Sequence, residues 1–262
     1  MTRKVQELFS LEGRTALITG GSRGLGLQMA AALGEAGARV FISSRKSAEL
    51  EEASATLRAR GIDVAWHAAD ASREEGTREL ADAALKHLGH VDILVNNAGA
   101  TWGAPAEEHP LAGWDKVMNL NVRSYFILSQ HIATRSMIPR KSGRIINTAS
   151  IAGLGGNPAG MKTIAYNTSK GAVITFTQAL ACEWGPYGIN VNAICPGVFP
   201  TKMAAGLLHS LGQQYIDSVP LRRVGDDEDL KGLAVLFASD AGKHITGQWI
   251  AVDGGVSALA GG

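Results

Sequence analysis

A chain of 262 residues, 45% of them hydrophobic and 19% charged, carries enough apolar material for one large core. Its 25 Lys and Arg against 24 Asp and Glu leave a formal net charge of +1, which argues against a nucleic-acid-binding face. No uncharged apolar run approaches the roughly 20 residues of a membrane span, so no membrane partner is expected. Residues Met1 to Gln6 lack the apolar stretch of a secretory signal. The two cysteines, Cys182 and Cys195, fit reduced thiols in a cytoplasmic protein, each best read as a small buried hydrophobe.

In chain order, Arg14-Thr15-Ala16-Leu17-Ile18-Thr19 reads as a short buried strand. It runs into Gly20-Gly21-Ser22-Arg23-Gly24-Leu25-Gly26 and then into the helix-forming run from Leu27 to Leu33. Strand, glycine-rich turn and helix together lay a dinucleotide pyrophosphate on a helix N-terminus, where backbone N–H groups and the helix dipole favour the anion. The spacing is Gly-x-x-x-Gly-x-Gly rather than the commoner Gly-x-Gly-x-x-Gly. A second strand, Ala38 to Ser43, is followed by Ser44, Arg45 and Lys46, with no acid where an NAD-preferring fold holds the ribose hydroxyls. Arg45, with Arg23 available from the glycine turn, suits a 2′-phosphate because guanidinium forks match phosphate oxygens. This favours NADP(H) over NAD(H); the alternative is that Arg45 and Lys46 are only exposed charges.

Helical runs at Ala48 to Arg60, Arg73 to Leu88 and Trp114 to Met137 alternate with strands at Asp63 to His67, Ile93 to Asn96, Arg144 to Asn147, Asn190 to Ile194 and Trp249 to Val252. The alternation predicts an α/β fold in one domain, a doubly wound parallel sheet covered on both faces. Asp70, followed by Ala71, stands after the third strand and serves either a ligand or a helix cap. His87 and His90 flank Gly89 and read as solvated surface with no carboxylate to complete a metal site. The acidic run Gly225-Asp226-Asp227-Glu228-Asp229 reads as a helix start with Asp226 at the N-cap rather than a metal site.

Tyr166 and Lys170 stand four apart at the head of the apolar helical stretch Gly171 to Trp184, so phenol and ammonium share one helix face. A free tyrosine titrates near ~10, and bringing it to ~7 takes about 3 units, or ~4 kcal/mol. A positive charge held nearby acts in that direction.

Thr19-Gly-x-x-x-Gly24-x-Gly26, Asn96-Asn97-Ala98-Gly99, Ser150, Tyr166-x-x-x-Lys170 and Pro196-Gly197 resemble the short-chain dehydrogenase/reductase family, in its single-domain branch. The resemblance runs down to Ile245-Thr246-Gly247-Gln248 and Val252-Asp253-Gly254-Gly255. It implies a Rossmann-type three-layer α/β/α fold and hydride exchange between NADP(H) and a carbonyl or secondary alcohol. By resemblance, Tyr166 moves the proton, Lys170 lowers its pKa and meets the nicotinamide ribose, Ser150 binds the substrate oxygen, and Asn121 holds a water behind Lys170. The resemblance also places the glycine turn, including Gly20, Ser22 and Leu25, against the cofactor with Asp70, Ala71, Asn97, Ala98, Gly99, Pro196, Gly197, Val198 and Thr201. Relatives of most similar character are 3-oxoacyl-thioester reductases, including rhamnolipid-type ones, then gluconate 5-dehydrogenase-like enzymes. A cofactor-bound sensor without turnover would have no need of the Asn, Ser, Tyr and Lys set.

The loop Leu154 to Ala165 is longer than in many relatives, which leaves Thr148 or Thr163 as deputies for Ser150. Thr101, Trp102, Phe199, Met203, Leu207 and Leu208 are expected pocket walls, or else core. A homotetramer is expected, buried through Phe126, Ile127, Leu128, Val173, Ile174 and Phe176, with the tail Ser257 to Gly262 near a neighbour.

Overall fold

The computed structural model describes residues 2–157 and 160–259. Its elements run α1 (Val5–Phe9), β1 (Thr15–Thr19), α2 (Gly24–Glu35), β2 (Arg39–Ser44), α3 (Ser47–Ala59), β3 (Val64–Ala68), α4 (Glu74–Leu88) and β4 (Ile93–Asn96). There follow α5 (Leu111–Met118), α6 (Ser124–Ile132) and α7 (Ile138–Arg140), joined through π-helical turns at Asn119–Arg123 and Ala133–Met137 into one helical run over 111–140. The chain then forms β5 (Gly143–Thr148), α8 (Ile164–Trp184), β6 (Ile189–Pro196), α9 (Ala205–Ser218), α10 (Lys231–Ala238) and β7 (Trp249–Val252).

The strands form one parallel sheet in the order β3-β2-β1-β4-β5-β6-β7. Each expected strand is present to within two residues at either end. A parallel sheet needs helices on both faces, and alternation along each strand divides the core accordingly. Ile18, Val40, Ile42, Ile93 and Val95 face one way onto Met29, Leu33, Leu50, Leu57 and Phe237. Leu17, Phe41, Leu94 and Ile145 face the other onto Leu80, Ala84, Leu128, Ile132 and Leu180. Strand order reverses between β1 and β4, which opens a crevice at their carboxyl ends.

At the opposite end of the sheet a buried carboxylate joins the elements. Asp92 Oδ2 accepts from Thr15 N at 2.9 Å, and Oδ1 accepts from Arg140 Nη2 at 2.6 Å. His90 Nε2 lies 3.2 Å from Asp92, so His90 does have a carboxylate neighbour, contrary to its reading as bare surface. His87 is exposed and tilts against the Phe41 ring at 5.6 Å. The acidic run also differs from expectation. The following helix, α10, starts only at Lys231, and Asp226 instead accepts from Glu228 N within a turn. Asp229 there pairs with Arg223, and Asp227 accepts from Gln28. Among the described residues no three His, Cys, Asp or Glu are placed to hold a metal. None of the described helices is long and apolar enough to cross a membrane.

Burial contradicts two further expectations. Cys195 is buried, but Cys182 is exposed on α8. Of the residues expected on a subunit interface, Ile127, Leu128, Val173 and Ile174 are buried inside the protomer and Phe176 packs against its core, while Phe126 is 49% exposed. Other exposed apolar side chains are Trp249 and Ile250 on the edge strand β7, and Leu221, whose N–H donates to the Gly254 carbonyl just after β7. Ala260 to Gly262 lie outside the described residues.

Burial pushes the Asp92 carboxyl up, but Arg140 and the Thr15 N–H outweigh it and hold the group below the usual aspartate range. A carboxyl depressed in the folded state contributes stability above its unfolded value of about 3.9, which is lost as pH falls through the folded value. Asp92→Ala, which strands the Thr15 N–H and unpairs Arg140, is expected to lower stability at neutral pH by about 2–4 kcal/mol. Urea denaturation checks this, and the variant's stability should also fall less steeply than the wild type's on acidification. An unchanged midpoint would show that the Asp92 contacts are not stabilising.

Candidate active site

The glycine turn is shaped by contacts that no side chain would permit. Gly20 and Gly24 adopt φ of +66° and +52°, in the left-handed region. A Cβ on Gly26 would stand 2.2 Å from the Gly20 carbonyl oxygen, so α2 starts hard against the turn. The end of β4 clips the turn in place. Thr19 Oγ1 accepts from Asn97 N at 2.9 Å and Ala98 N at 3.0 Å, while Asn97 Nδ2 donates to Thr19 O at 2.9 Å. From far along the chain, the Thr201 methyl comes to 3.2 Å from where a Gly24 Cβ would be. The turn, Asn97 to Gly99, and Thr201 therefore converge over the crevice. Leu25 is an exception, since its side chain packs against the core and leaves only its backbone to a ligand. Ser22 stays half-buried in the turn.

At the end of β2 the Ser44 hydroxyl is buried and has no partner among the described residues. Arg45 is exposed and acts electrostatically on Asp70. Asp70 Oδ1 accepts from Ser72 N at 3.1 Å and Ser72 Oγ at 2.7 Å, so this acid shapes a turn before α4 and is not the helix cap, a position held by Arg73. Ala71 beside it is buried. Arg23 does not stand open: its Nη1 lies 3.0 Å from both Glu49 carboxylate oxygens. On β6, Pro196 ends the strand, and Gly197 passes so close to Asp253 that a Cβ would be 2.7 Å from its side chain. The Val198 carbonyl accepts from Gly225 N at 3.0 Å.

Ser150, Tyr166, Lys170 and Asn121 gather at the carboxyl ends of β4 and β5. Ser150 follows β5 and hydrogen-bonds the Tyr166 phenol. Lys170, one turn after Tyr166 on α8, is 3% exposed and donates from Nζ to the Thr148 carbonyl at 2.6 Å. That nitrogen lies 5.7 Å from the Tyr166 ring centroid. Asn121 sits in the first π-helical turn, where Oδ1 accepts from Ala100 N at 2.8 Å and Nδ2 donates to Ala100 O and Ser169 Oγ, each at 2.9 Å. A π turn inserts an extra residue into the helical repeat and re-aims its side chains. Gly99 lies between the two groups: a Cβ there would be 3.4 Å from Asn121 Oδ1 and 3.8 Å from Lys170 Nζ.

The electrostatics differ from the expectation that Lys170 lowers the Tyr166 pKa. Burial raises it, and the Ser150 hydrogen bond only partly opposes the rise. Burial instead acts on Lys170, bringing its pKa down to about 8, with the nearby Cys195 giving a small opposing pull. The Cys195 thiol itself is pushed up to about 11 by its own burial.

Of the possible deputies for Ser150, Thr148 donates its hydroxyl to Asn97 Oδ1 at 3.3 Å, and Thr163 donates to Asn167 Oδ1 at 3.0 Å. Both are committed elsewhere. Asn167 also donates to the Ala152 and Gly155 carbonyls and accepts from Asn157, so one side chain braces the long loop against α8. Pro158 and Ala159 of that loop lie outside the described residues. The pocket walls are only partly as expected. Trp102 packs over Gly113 with the Lys116 ammonium 4.9 Å from its ring, and Met203 is exposed. Thr101 is exposed and Leu208 half-buried. Phe199, by contrast, is 3% exposed and belongs to the core, and the Leu207 side chain lies outside the described residues. A concavity of about 590 Å³ at the end of β7, lined by Leu221, Arg223, Asp253 and Ala258 among others, contains none of the four clustered residues.

One participant was not foreseen. Tyr125 on α6 is fully buried, donates its hydroxyl to the Thr148 carbonyl at 3.4 Å, and places its ring 5.9 Å from Lys170 Nζ. A tyrosine in an apolar helical run reads as core, and its only sequence signal is its position four residues after Asn121.

Residues 14–211 match the family described as short chain dehydrogenase. The rhamnolipids biosynthesis 3-oxoacyl-[acyl-carrier-protein] reductase of Pseudomonas aeruginosa is 42% identical over 252 residues, covering 94% of this chain and 97% of that protein. The crystal structure of a gluconate 5-dehydrogenase from Burkholderia cenocepacia, in complex with NADP and tartrate, superposes with a TM-score of 0.92 at 32% identity, covering 98% of this chain and 100% of that one. The Pseudomonas aeruginosa RhlG/NADP active-site complex gives 0.89 at 41% identity, with 96% and 99% covered. With the family match over most of its length and the phenol, ammonium, hydroxyl and amide gathered at the carboxyl ends of β4 and β5, this chain belongs to the short chain dehydrogenase family of oxidoreductases.

Proposed function

We propose that this protein is an NADP(H)-dependent oxidoreductase interconverting a carbonyl compound and its secondary alcohol, with 3-oxoacyl thioesters of acyl carrier protein or coenzyme A as the preferred substrate class. The observation that carries the reaction type is the hydrogen-bonded Ser150–Tyr166 pair beside the buried Lys170. The 42% identity to a 3-oxoacyl-[acyl-carrier-protein] reductase supports the substrate class. Sugar acids form the second reading, supported by the gluconate 5-dehydrogenase likeness.

The residues present fit an adenine dinucleotide phosphate. The turn at Gly20 to Gly26 is packed so closely on the end of β4 that no side chain fits at Gly20 or Gly26, which leaves its backbone bare toward a ligand, and the buried Ser44 hydroxyl has no partner among the described residues. Gly20, Ser22, Gly24 and the backbone of Leu25 would hold the pyrophosphate, Arg23, Ser44 and Arg45 the 2′-phosphate, and Asp70 with Ala71 the adenine side. Asn97, Ala98, Gly99, Pro196, Gly197, Val198 and Thr201 would flank the nicotinamide half. When bound, NADPH supplies the hydride.

The chain's own residues manage the proton. Ser150 and Tyr166 would both offer hydroxyls to the substrate oxygen, and the raised Tyr166 pKa keeps a proton on the phenol for donation during reduction. Lys170, charged below about pH 8, places a cation beside the developing phenolate. Asn121, fixed by the Ala100 backbone, orders the region behind Lys170. We further propose a cytoplasmic homotetramer, a reading supported by the apolar surface that the exposed Phe126 and the β7 side chains Trp249 and Ile250 offer for self-association.

Assay of NADPH consumption against acetoacetyl thioesters, keto sugar acids and simple ketones tests the substrate class, and activity confined to sugar acids would overturn it. On the best substrate, Tyr166→Phe is expected to lower kcat by about 10²–10⁴ with little change in NADPH binding. Wild-type kcat/KM for NADPH should fall above about pH 8 as Lys170 loses its charge. A Tyr166→Phe enzyme with near-wild-type kcat would remove Tyr166 from the reaction.

Coenzyme choice is checked by comparing kcat/KM for NADPH and NADH. NADPH should be preferred, and Arg45→Ala should narrow the preference by about 10- to 100-fold, the worth of a charge-assisted phosphate contact. Equal values for both coenzymes in the wild type would defeat the assignment. Light scattering at micromolar concentration reads the assembly: a tetramer mass is expected, and a single-chain mass refutes it.

A further inference from the structure

Glu49, in the first turn of α3, collects cations from three separate segments. Arg23 of the glycine turn reaches both its oxygens at 3.0 Å, Lys46 Nζ lies at 3.3 Å, and Lys202 Nζ, next to Thr201, lies at 4.0 Å. These cations hold the carboxyl below the usual glutamate range, with the Lys46 hydrogen bond the largest influence. Three cations against one carboxylate leave a local charge of about +2, and Arg45 adds to it one residue after the buried, unpartnered Ser44 hydroxyl. Exposed ion pairs of this kind stabilise a fold weakly, and these cations stay open to exchange of their partner. The excess has the sign that draws a phosphate dianion.

We propose that Glu49 is a specificity-determining residue at the nucleotide end of the site: it stands in for the 2′-phosphate, keeping Arg23, Lys46 and Lys202 directed at one point, and gives them up when the phosphate arrives. This inference rests on the NADP(H) reading above. A carboxylate and a phosphate cannot both sit among the same three cations without like-charge repulsion, so Glu49 competes with the phosphate. A ribose hydroxyl, uncharged, does not enter that competition. Lys202 lies on the segment that brings Thr201 against Gly24, so the same exchange ties the nucleotide end to the segment leading into α9.

The test uses fragments that carry only the nucleotide end. Calorimetric titration of the full chain with 2′,5′-ADP and with 5′-AMP is compared among wild type, Glu49→Gln, Glu49→Ala and Lys202→Met. Both Glu49 variants should bind 2′,5′-ADP about two- to tenfold more tightly, 5′-AMP unchanged, and Lys202→Met should bind 2′,5′-ADP about two- to tenfold more weakly. Raising the salt concentration should shrink all of these differences. Unchanged or weaker 2′,5′-ADP binding in both Glu49 variants, with discrimination intact in the wild type, would overturn the role of Glu49 alone. Equal wild-type affinity for the two fragments would overturn the NADP(H) reading and this inference with it.

Discussion

Lys170 carries an ammonium into an almost fully buried position with no carboxylate among the described residues to meet it, and the contact that makes this tolerable is the Thr148 carbonyl at 2.6 Å. Burying a charge without a counter-ion is costly, and a protein relieves that cost by lowering the group's pKa or by supplying dipoles and ring faces. Both occur here. The pKa falls to about 8, and the Tyr125 and Tyr166 rings lie on the ammonium at 5.9 and 5.7 Å. A lysine held in this way is poised near neutrality, able to keep or lose its charge in response to what binds beside it.

The rest of the molecule positions that contact. Thr148 is the last residue of β5, a strand between β4 and β6 with both faces covered, so its carbonyl is as fixed as the sheet. The register of β4 on β1 then sets the other wall, because Asn97 and Ala98, just past the end of β4, lock onto Thr19 and hold the glycine turn. Asn96, buried inside β4, bonds Asn147 and Ser129 and so stitches β4 to β5 and α6 below the site. Buried polar links of this kind are directional, and they specify spacing that apolar packing alone leaves loose.

Charge is distributed between the two ends of the sheet in different ways. At the amino end, Asp92 is surrounded by partners within the protein, and its role is structural. At the carboxyl end, Arg23, Lys46 and Lys202 gather on Glu49, with Arg45 beside Lys46 in sequence. The amino-end carboxylate is buried and hydrogen-bonded within the protein, whereas the carboxyl-end cations meet a partly exposed acid, where an anionic ligand can compete.

The strands were legible because each is a short apolar run bounded by turn residues, and the glycine turn because only glycine accommodates the left-handed φ and close approach at Gly20 and Gly24. The shared face of Tyr166 and Lys170 followed from helical spacing alone. Other properties were settled by neighbours distant along the chain. Burial, not spacing, raised the Tyr166 pKa, and it placed Phe199 in the core while leaving Cys182 exposed. Arg23 found Glu49 26 residues away, and Tyr125 came under Lys170 from another helix. Local sequence determines which face a side chain takes, because the backbone repeat is local. Desolvation and Coulomb interaction depend on everything within several ångströms, and only the folded chain decides what that is.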